Sequence, residues 1–329
     1  MELANIDPVR YASARHQAVP MKRSSTTMLV LSLHALGCAT PARRDSIASE
    51  KSYNRGPRGE EERPSRAATA QGEPACFRAK LLWSEDFESG DYSHWTGHSY
   101  DSAWGNECQN NAISTQRAVS GTHSQRSVIT CPYFLEGNVH RGYGGIQFNG
   151  DHVSPEYTNS GSGINAPYGV VNTFYHWLEP TTTFANGKWV SFFGVDGDCA
   201  WKEDVMSLGL EDPSNRLAAA HYWSGPGGMR TFVKDAPGFP FGRWVRITIY
   251  LNYFDGVMYV WQDGEPISQV TFSRRTKTIC QWHWGLYASG DNDNLVLYED
   301  DFSIWKLGQA WTDFSVEPLL GKTVVVCSP

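Results

Sequence analysis

The chain has 329 residues, and its 28 Lys and Arg against 35 Asp and Glu give a net charge of −7. The basic residues are dispersed and form no stripe with interleaved aromatics, which argues against a nucleic-acid partner. The length permits two domains, although a β-sandwich often exceeds ~200 residues as one unit.

The first 37 residues predict an upstream extension and an export signal. Met21, Lys22 and Arg23 form a short basic start, and the apolar stretch 26–36 is too short to span a bilayer. The stretch ends in "ALGC", which resembles the cleavage box of bacterial lipoproteins, with Cys38 as the lipidated residue. An ordinary signal peptide is the alternative. We therefore predict a bacterial cell-envelope protein, either an outer-membrane lipoprotein held through Cys38 or a secreted protein.

Residues 38–75 predict a disordered tether. The stretch 40–74 is rich in Arg, Glu, Ser, Pro and Gly, so it cannot bury enough apolar surface to offset the entropy of ordering. From Cys76 onward Trp, Tyr and Phe become frequent, and about 250 residues suffice for a substantial core. We predict one folded domain at 76–329 and expect a monomer.

The cysteine pattern predicts disulfides. Six cysteines follow Cys38: Cys76, Cys108, Cys131, Cys199, Cys280 and Cys327. An even number outside the cytoplasm indicates bridges, and six cysteines allow fifteen pairings. Free buried thiols are the alternative. There is no CxxC and no Cys/His metal spacing, which argues against a zinc site.

The aromatic-rich region predicts an all-β fold. Helical periodicity is nearly absent, and turn signals such as Asp255-Gly256 and Asp263-Gly264 separate short runs rich in Val, Ile, Phe, Tyr, Trp and Thr. This pattern is typical of a sandwich or barrel. Asp255-Gly256 lies between two such runs and predicts a hairpin turn.

Several of these runs alternate between apolar and polar residues, and alternate side chains of a strand face opposite ways. We predict that the core receives Val245, Ile247, Ile249, Leu251, Trp282, Trp284, Leu286, Ile146 and Phe148. The opposite faces then carry Arg141, Tyr143, Gln147, Arg246, Tyr250, His283 and Tyr287. If these strands share a sheet, their face suits sugars, whose C–H faces pack on aromatic rings and whose hydroxyls need polar partners. A plain solvated sheet face is the alternative.

Three segments resemble concanavalin A-like lectin/glucanase jelly rolls. "LLWSEDFESGDYSHW" (81–95) is similar to their opening strand, and "GRWVRITIYLNYFDGVMYVWQDGEPI" (242–267) to their middle hairpin. "WGLYASGDNDNLVLYEDDFSIWK" (284–306) resembles the last strands of the heparin-lyase and alginate-lyase branch. The resemblance spans roughly residues 81–307 and implies a two-sheet jelly-roll sandwich that binds polysaccharide.

Two hydrolase mechanisms are disfavoured by missing motifs. The glycoside hydrolases of this fold carry a Glu-x-Asp-x-x-Glu strand with two catalytic glutamates, and this chain has no such strand. It also has no Gly-x-Ser-x-Gly elbow for a Ser-His-Asp hydrolase.

The lyase branch implies β-elimination on a uronic acid. Gly285-Leu286-Tyr287 matches the branch's Gly-x-Tyr strand, so Tyr287 is the predicted proton donor or acceptor. The resemblance further implies that Arg141 or Gln147 neutralises the substrate carboxylate and that His283 or His221 takes the proton. The predicted substrate-binding residues are Tyr143, Arg246, Tyr250 and Trp261.

A non-catalytic carbohydrate-binding or adhesion module of the same fold is the competing hypothesis. The Gln-x-His strand of the lyase branch has no match, since its counterpart Trp189–Asp196 contains no histidine. A structural envelope protein without a glycan ligand is a third hypothesis.

Two further expectations follow from the jelly-roll resemblance. The terminal strands of this fold are often neighbours, which favours a Cys76–Cys327 bridge. Related jelly rolls bind structural calcium where the first and last strands meet, so Asp86, Glu88 and Asp301 are the predicted ligands. A solvated charge cluster is the alternative.

Overall fold

The computed structural model describes residues 78–98, 108–134, 139–158, 161–185, 188–202, 204–211, 214–222, 229–231, 237–273 and 276–318. The strands in these ranges are β1 Ala79–Glu85, β2 Gly97–His98, β3 Gln109–Ser114, β4 Ser124–Ile129, β5 Val139–Asn149, β6 His152–Val153, β7 Val170–Leu178, β8 Val190–Asp196, β9 Val205–Glu211, β10 Arg216–Tyr222, β11 Met229–Thr231, β12 Val245–Asn252, β13 Val257–Gln262, β14 Glu265–Thr271, β15 Gln281–Ser289 and β16 Leu295–Leu307. Within these ranges no helix is long and apolar enough to cross a membrane.

The strands form two antiparallel sheets. The first sheet has the order β14-β13-β12-β7-β16-β4-β3, with β1 paired to β16. The second has the order β11-β10-β9-β8-β15-β5-β2, with β6 paired to β5. Because sequence neighbours such as β15 and β16 lie in different sheets, the chain crosses repeatedly between the two layers. The predicted all-β, two-sheet sandwich is confirmed.

The core lies between the sheets and contains the residues that alternation predicts. Val245, Ile247, Ile249 and Leu251 of β12 are all fully buried in it, as are Trp282 and Leu286 of β15. The predicted hairpin is also present, since residues 253–256 join β12 to β13. Gly256 has a φ of 65° and lies so close to the Phe272 carbonyl that a Cβ would clash with it.

Two disulfides cross-link the described part of the chain, Cys108–Cys131 and Cys199–Cys280. Disulfides are typical of proteins that fold outside the reducing cytoplasm, which agrees with the predicted export. The predicted Cys76–Cys327 bridge, the lipidation site Cys38, the signal and the tether lie outside the described residues.

Residues 308–318, which we call the strap, pack on β12 and β13 at the outward face of the first sheet. Arg246 pairs with the buried carboxylate of Glu317 at 2.5 Å. Trp261 is fully buried and donates from Nε1 to the Phe314 carbonyl at 3.0 Å. The Tyr250 hydroxyl, also buried, accepts the Trp311 backbone N–H at 3.2 Å.

These contacts correct one prediction. Arg246, Tyr250 and Trp261 do leave the core side of their strands, but β12 and β13 belong to the first sheet, whereas Arg141 and Tyr287 belong to the second. The three residues therefore do not lie on the same face as Tyr287, where the sequence predicts that they bind substrate. They contact the strap instead.

We expect Arg246→Ala to detach the strap. Burial raises the pKa of the Glu317 carboxyl, while the Thr248 hydroxyl and Arg246 favour its charged form, so removing Arg246 leaves a buried carboxylate poorly compensated. Limited proteolysis read by mass spectrometry should show faster cleavage within 308–318. Arg243→Ala is the matched control, because the Arg243–Asp263 pair is exposed and such pairs contribute little. Equal cleavage of both variants would contradict the role of Arg246.

Candidate functional site on the second sheet

The second sheet brings four of the predicted site residues together on its outward face. In the β5–β15 ladder, Tyr287 lies opposite Arg141, Gly285 opposite Tyr143 and His283 opposite Gly145. Trp282, Trp284 and Leu286 alternate with His283 and Tyr287 along β15 and fill the core. Because successive side chains of a strand face opposite ways, His283 and Tyr287 project from the outward surface of the sheet. Arg141, Tyr143, His283 and Tyr287 therefore share one wall of the sandwich, as alternation predicts.

Five rings on this wall form a continuous cluster, which we call the aromatic face: Tyr143, Trp189, Trp201, His283 and Tyr287. His283 stacks between Tyr143 and Trp201, with ring centroids 4.5 and 4.2 Å away. Tyr287 meets Tyr143 edge-on at 5.9 Å and Trp189 at 4.9 Å. Such a cluster offers flat apolar area next to hydroxyl and imidazole groups, which is the combination that sugar rings require.

Tyr287 is the titratable hydroxyl next to a fixed positive charge. Burial raises the pKa of its phenol above 10.0, the guanidinium of Arg141 lowers it, and Tyr222 raises it further. Because burial prevails, the phenol stays protonated at neutral pH. Tyr287 can therefore donate a proton there, while the cross-strand neighbour Arg141 supplies the charge that a carboxylate ligand needs.

His283 is a weak base in this setting. Burial lowers the pKa of its imidazole to about 3, so the ring is neutral across the physiological range. A neutral imidazole can accept a proton, but a general base is most effective when its pKa is near the working pH. The stack between Tyr143 and Trp201 also gives His283 a packing role in the aromatic face.

Gln147 lies on the same side of β5 as Arg141, but its side-chain amide forms hydrogen bonds within the protein. Its Nε2 donates to the carbonyl and hydroxyl oxygens of Thr158 at 2.9 and 3.0 Å. Its Oε1 accepts the Thr158 backbone N–H at 2.9 Å and Gln281 Nε2 at 3.0 Å. All hydrogen-bonding positions of the amide are filled, so of the predicted pair only Arg141 stays a candidate for binding a carboxylate.

The structure corrects the prediction for His221. Its cross-strand partner is Met206, a core residue, and its ring packs on Phe272 with centroids 4.6 Å apart. Its Nε2 lies 3.1 Å from the buried Oδ1 of Asp204. His221 therefore faces the interior of the sandwich and lies on the side of the second sheet opposite Tyr287.

The three predicted calcium ligands accept hydrogen bonds from nearby loop residues. Glu88 accepts the Thr122 and His123 backbone N–H groups at 2.8 and 2.7 Å, and Asp301 accepts the Ser120 hydroxyl at 2.7 Å. Asp86 accepts the backbone N–H of Glu88 at 3.1 Å. Among the residues that the structure describes, no three acidic, histidine or cysteine side chains form a metal-binding group. These carboxylates stabilise the loops around them, and calcium binding at Asp86, Glu88 and Asp301 stays a prediction.

A buried acid supports the edge of the site. Asp196, at the end of β8, accepts the backbone N–H of Trp201 at 3.0 Å. Burial and a hydrogen bond with Asp198 raise its pKa from 3.8 to about 8. The folded state thus holds a proton on Asp196 that the unfolded chain releases near pH 3.8, so this group favours folding at low pH, and that contribution is lost as the pH rises to about 8.

We expect Asp196→Asn to raise the melting temperature above about pH 8 and to change it little near pH 4. The Asn amide can still accept from Trp201 and donate to Asp198, but it avoids a buried charge. Asp151→Asn is the opposite control: burial raises the pKa of Asp151, but Lys306 and Lys80 outweigh burial and lower it, so that variant should be less stable at neutral pH. The same difference for Asp196→Asn at both pH values would contradict the assignment.

Sequence reasoning missed Trp189 and Trp201 as members of the aromatic face. Trp189 precedes β8, and Trp201 lies in the loop after it. The Cys199–Cys280 pairing is the signal that places this loop beside β15, and the sequence left that pairing open among fifteen.

Comparison with known proteins gives similarity of structure only. No protein-family model matches the chain, and no curated protein matches it. The cellulose-induced protein Cip1 is 20% identical over 68% of this chain and 96% of its own, with a TM-score of 0.46. An endo-β-1,4-glucuronan lyase from the fungus Trichoderma reesei is 14% identical over 68% and 95%, with a TM-score of 0.49. A Bacillus licheniformis β-glucanase is 12% identical over 68% and 96%, with a TM-score of 0.42. At these values the similarity assigns no activity to this chain.

Proposed function

We propose that this protein engages an acidic polysaccharide through its aromatic face and cleaves it by β-elimination. The observation that carries this proposal is the cross-strand pair Arg141 and Tyr287 beside the stacked rings. Arg141 binds the uronate carboxylate and so acidifies the adjacent C–H. Neutral His283 accepts that proton, a C=C bond forms as the glycosidic C–O bond breaks, and Tyr287 protonates the leaving oxygen.

A non-catalytic binding module is the second candidate, and the low basicity of His283 favours it. An imidazole with a pKa of about 3 removes a carbon-bound proton poorly. The aromatic face and Arg141 would then bind the polymer without breaking it.

One experiment separates the two candidates. The purified protein is incubated with a panel of uronate polymers, and the ultraviolet absorbance of the new C=C bond is followed, while affinity electrophoresis in the same polymers measures binding. Product on at least one polymer supports the lyase. Retention without product supports the binding module, and neither product nor retention on any polymer contradicts the proposal.

Arg141→Gln tests the carboxylate contact within the same experiment. We expect it to weaken retention on uronate polymers by roughly ten- to a hundredfold, because a charge-assisted hydrogen bond of about 1.5–3 kcal/mol is lost. Arg243→Gln removes one charge on an exposed loop next to the first sheet and should bind like the wild type. Equal weakening in both variants would point to net charge rather than to the site.

A further inference from the structure

Trp201 occupies a constrained position on the aromatic face. It lies in the short loop between β8 and β9, and its φ of 57° places it in the left-handed region, as does the φ of 60° at Cys199. Residues other than glycine rarely adopt this conformation, and it costs free energy that the surroundings must offset. Such backbone conformations concentrate at functional sites, so this loop is a candidate for a functional role in addition to joining β8 to β9.

Several independent contacts hold the loop in place. The Cys199–Cys280 disulfide ties it to the residue before β15. The Trp201 indole N–H donates to Gln281 Oε1 at 2.7 Å, and Gln281 Nε2 donates back to the Cys199 carbonyl at 3.2 Å. Together with the Asp196 contact, these bonds fix the backbone and the ring of Trp201.

One face of the indole is occupied and the side chain stays partly exposed. The ring lies against His283 at 4.2 Å with an angle of 26°, and over Gly194, where a Cβ would be 3.4 Å from the indole. Beyond Gly194, the ladder continues with the small residues Ser207 and Ala220. Trp201 is partly exposed, and its indole lies beside this strip of small residues.

We propose that Trp201 is the platform on which a pyranose ring of the polysaccharide stacks, and that the Cys199–Cys280 disulfide holds this platform in position. The inference rests on the proposed function, because it names a residue that binds the polymer on the same face. Trp201 acts in binding and takes no part in the proton transfers.

Binding by the full-length protein tests the platform. Trp201→Ala should weaken retention on the uronate polymer by roughly ten- to a hundredfold, whereas Trp201→Phe should keep most of it because a ring remains. Trp305→Phe, on the first sheet, is the control and should bind like the wild type. Retention that survives Trp201→Ala overturns the platform alone, while no retention of the wild type overturns the proposed function and the platform together.

The disulfide is tested without any polymer. The His283 ring protons lie beside the Trp201 and Tyr143 rings, so their NMR shifts report the stack. In Cys199→Ser/Cys280→Ser these shifts should move as they do in Trp201→Ala, and retention should fall with them. Cys108→Ser/Cys131→Ser, which removes the other described bridge, should leave them in place. Unchanged His283 shifts in the first double variant would show that the disulfide does not position Trp201.

Discussion

Replacing Tyr287 by Phe is expected to lower kcat on a uronate polymer by roughly 100- to 10,000-fold, the range lost when a positioned proton donor is removed. The Phe ring keeps the contacts with Trp189 and Tyr143, so KM and retention in affinity electrophoresis should change little. A large fall in kcat with little change in KM is the signature of a group that acts in the transition state.

The pH profile gives the same variant a second readout. Burial raises the pKa of the Tyr287 phenol above its usual value, so loss of this proton should not lower wild-type activity at neutral or mildly alkaline pH. Tyr259→Phe, on β13 of the first sheet, serves as the control and should leave kcat unchanged. Wild-type kcat in Tyr287→Phe would rule out Tyr287 as the donor.

Strand parity was predictable from the sequence, and sheet membership was not. The alternation in β12 and β15 assigns each side chain to the core or to the outside, because successive residues of a strand face opposite ways. It does not say which of two outward faces a strand contributes to. For that reason alternation alone assigns Arg246 and Tyr287 to one face, although they lie on opposite sides of the sandwich.

His221 shows where parity itself fails. Its strand, "RLAAAHY", has three consecutive alanines, and such small residues fit either face. Without a polar–apolar contrast the sequence could not reveal that Leu217, Ala219 and His221 face the interior. The side of the sheet is decided by the pairing with β9, a contact between segments that local pattern does not encode.

The hydrogen-bond partners of Gln147 and the position of the Trp201 ring depend on loop conformation. The two residues are linked through Gln281, which hydrogen-bonds to Gln147 and to Trp201. Loop conformations with positive φ, and a disulfide chosen among fifteen pairings, are set by tertiary contacts. The sequence therefore predicts the site residues on the strands better than the site residues in the loops.

Breaking the buried His176–Glu299 pair is expected to have the largest effect on stability. The two side chains are fully buried in the core, with His176 Nε2 2.8 Å from Glu299 Oε1, and Gln125 Nε2 donates to the other carboxylate oxygen at 2.5 Å. Glu299→Leu removes the acceptor of Gln125 and the carboxylate next to the His176 ring, both inside an apolar core. The free energy of unfolding should fall by about 3–5 kcal/mol, as measured by chemical denaturation.

Burial, rather than distance, is the cause of that effect, and a matched pair tests this. Lys188 and Asp291 are also 2.8 Å apart, but both are substantially exposed, so Lys188→Leu should cost no more than about 1 kcal/mol. The double variant His176→Leu/Glu299→Leu should regain much of the loss, because two apolar side chains leave no unpaired buried charge. If the double variant is less stable than Glu299→Leu alone, the pair itself, and not the penalty of an orphaned partner, stabilises the sandwich.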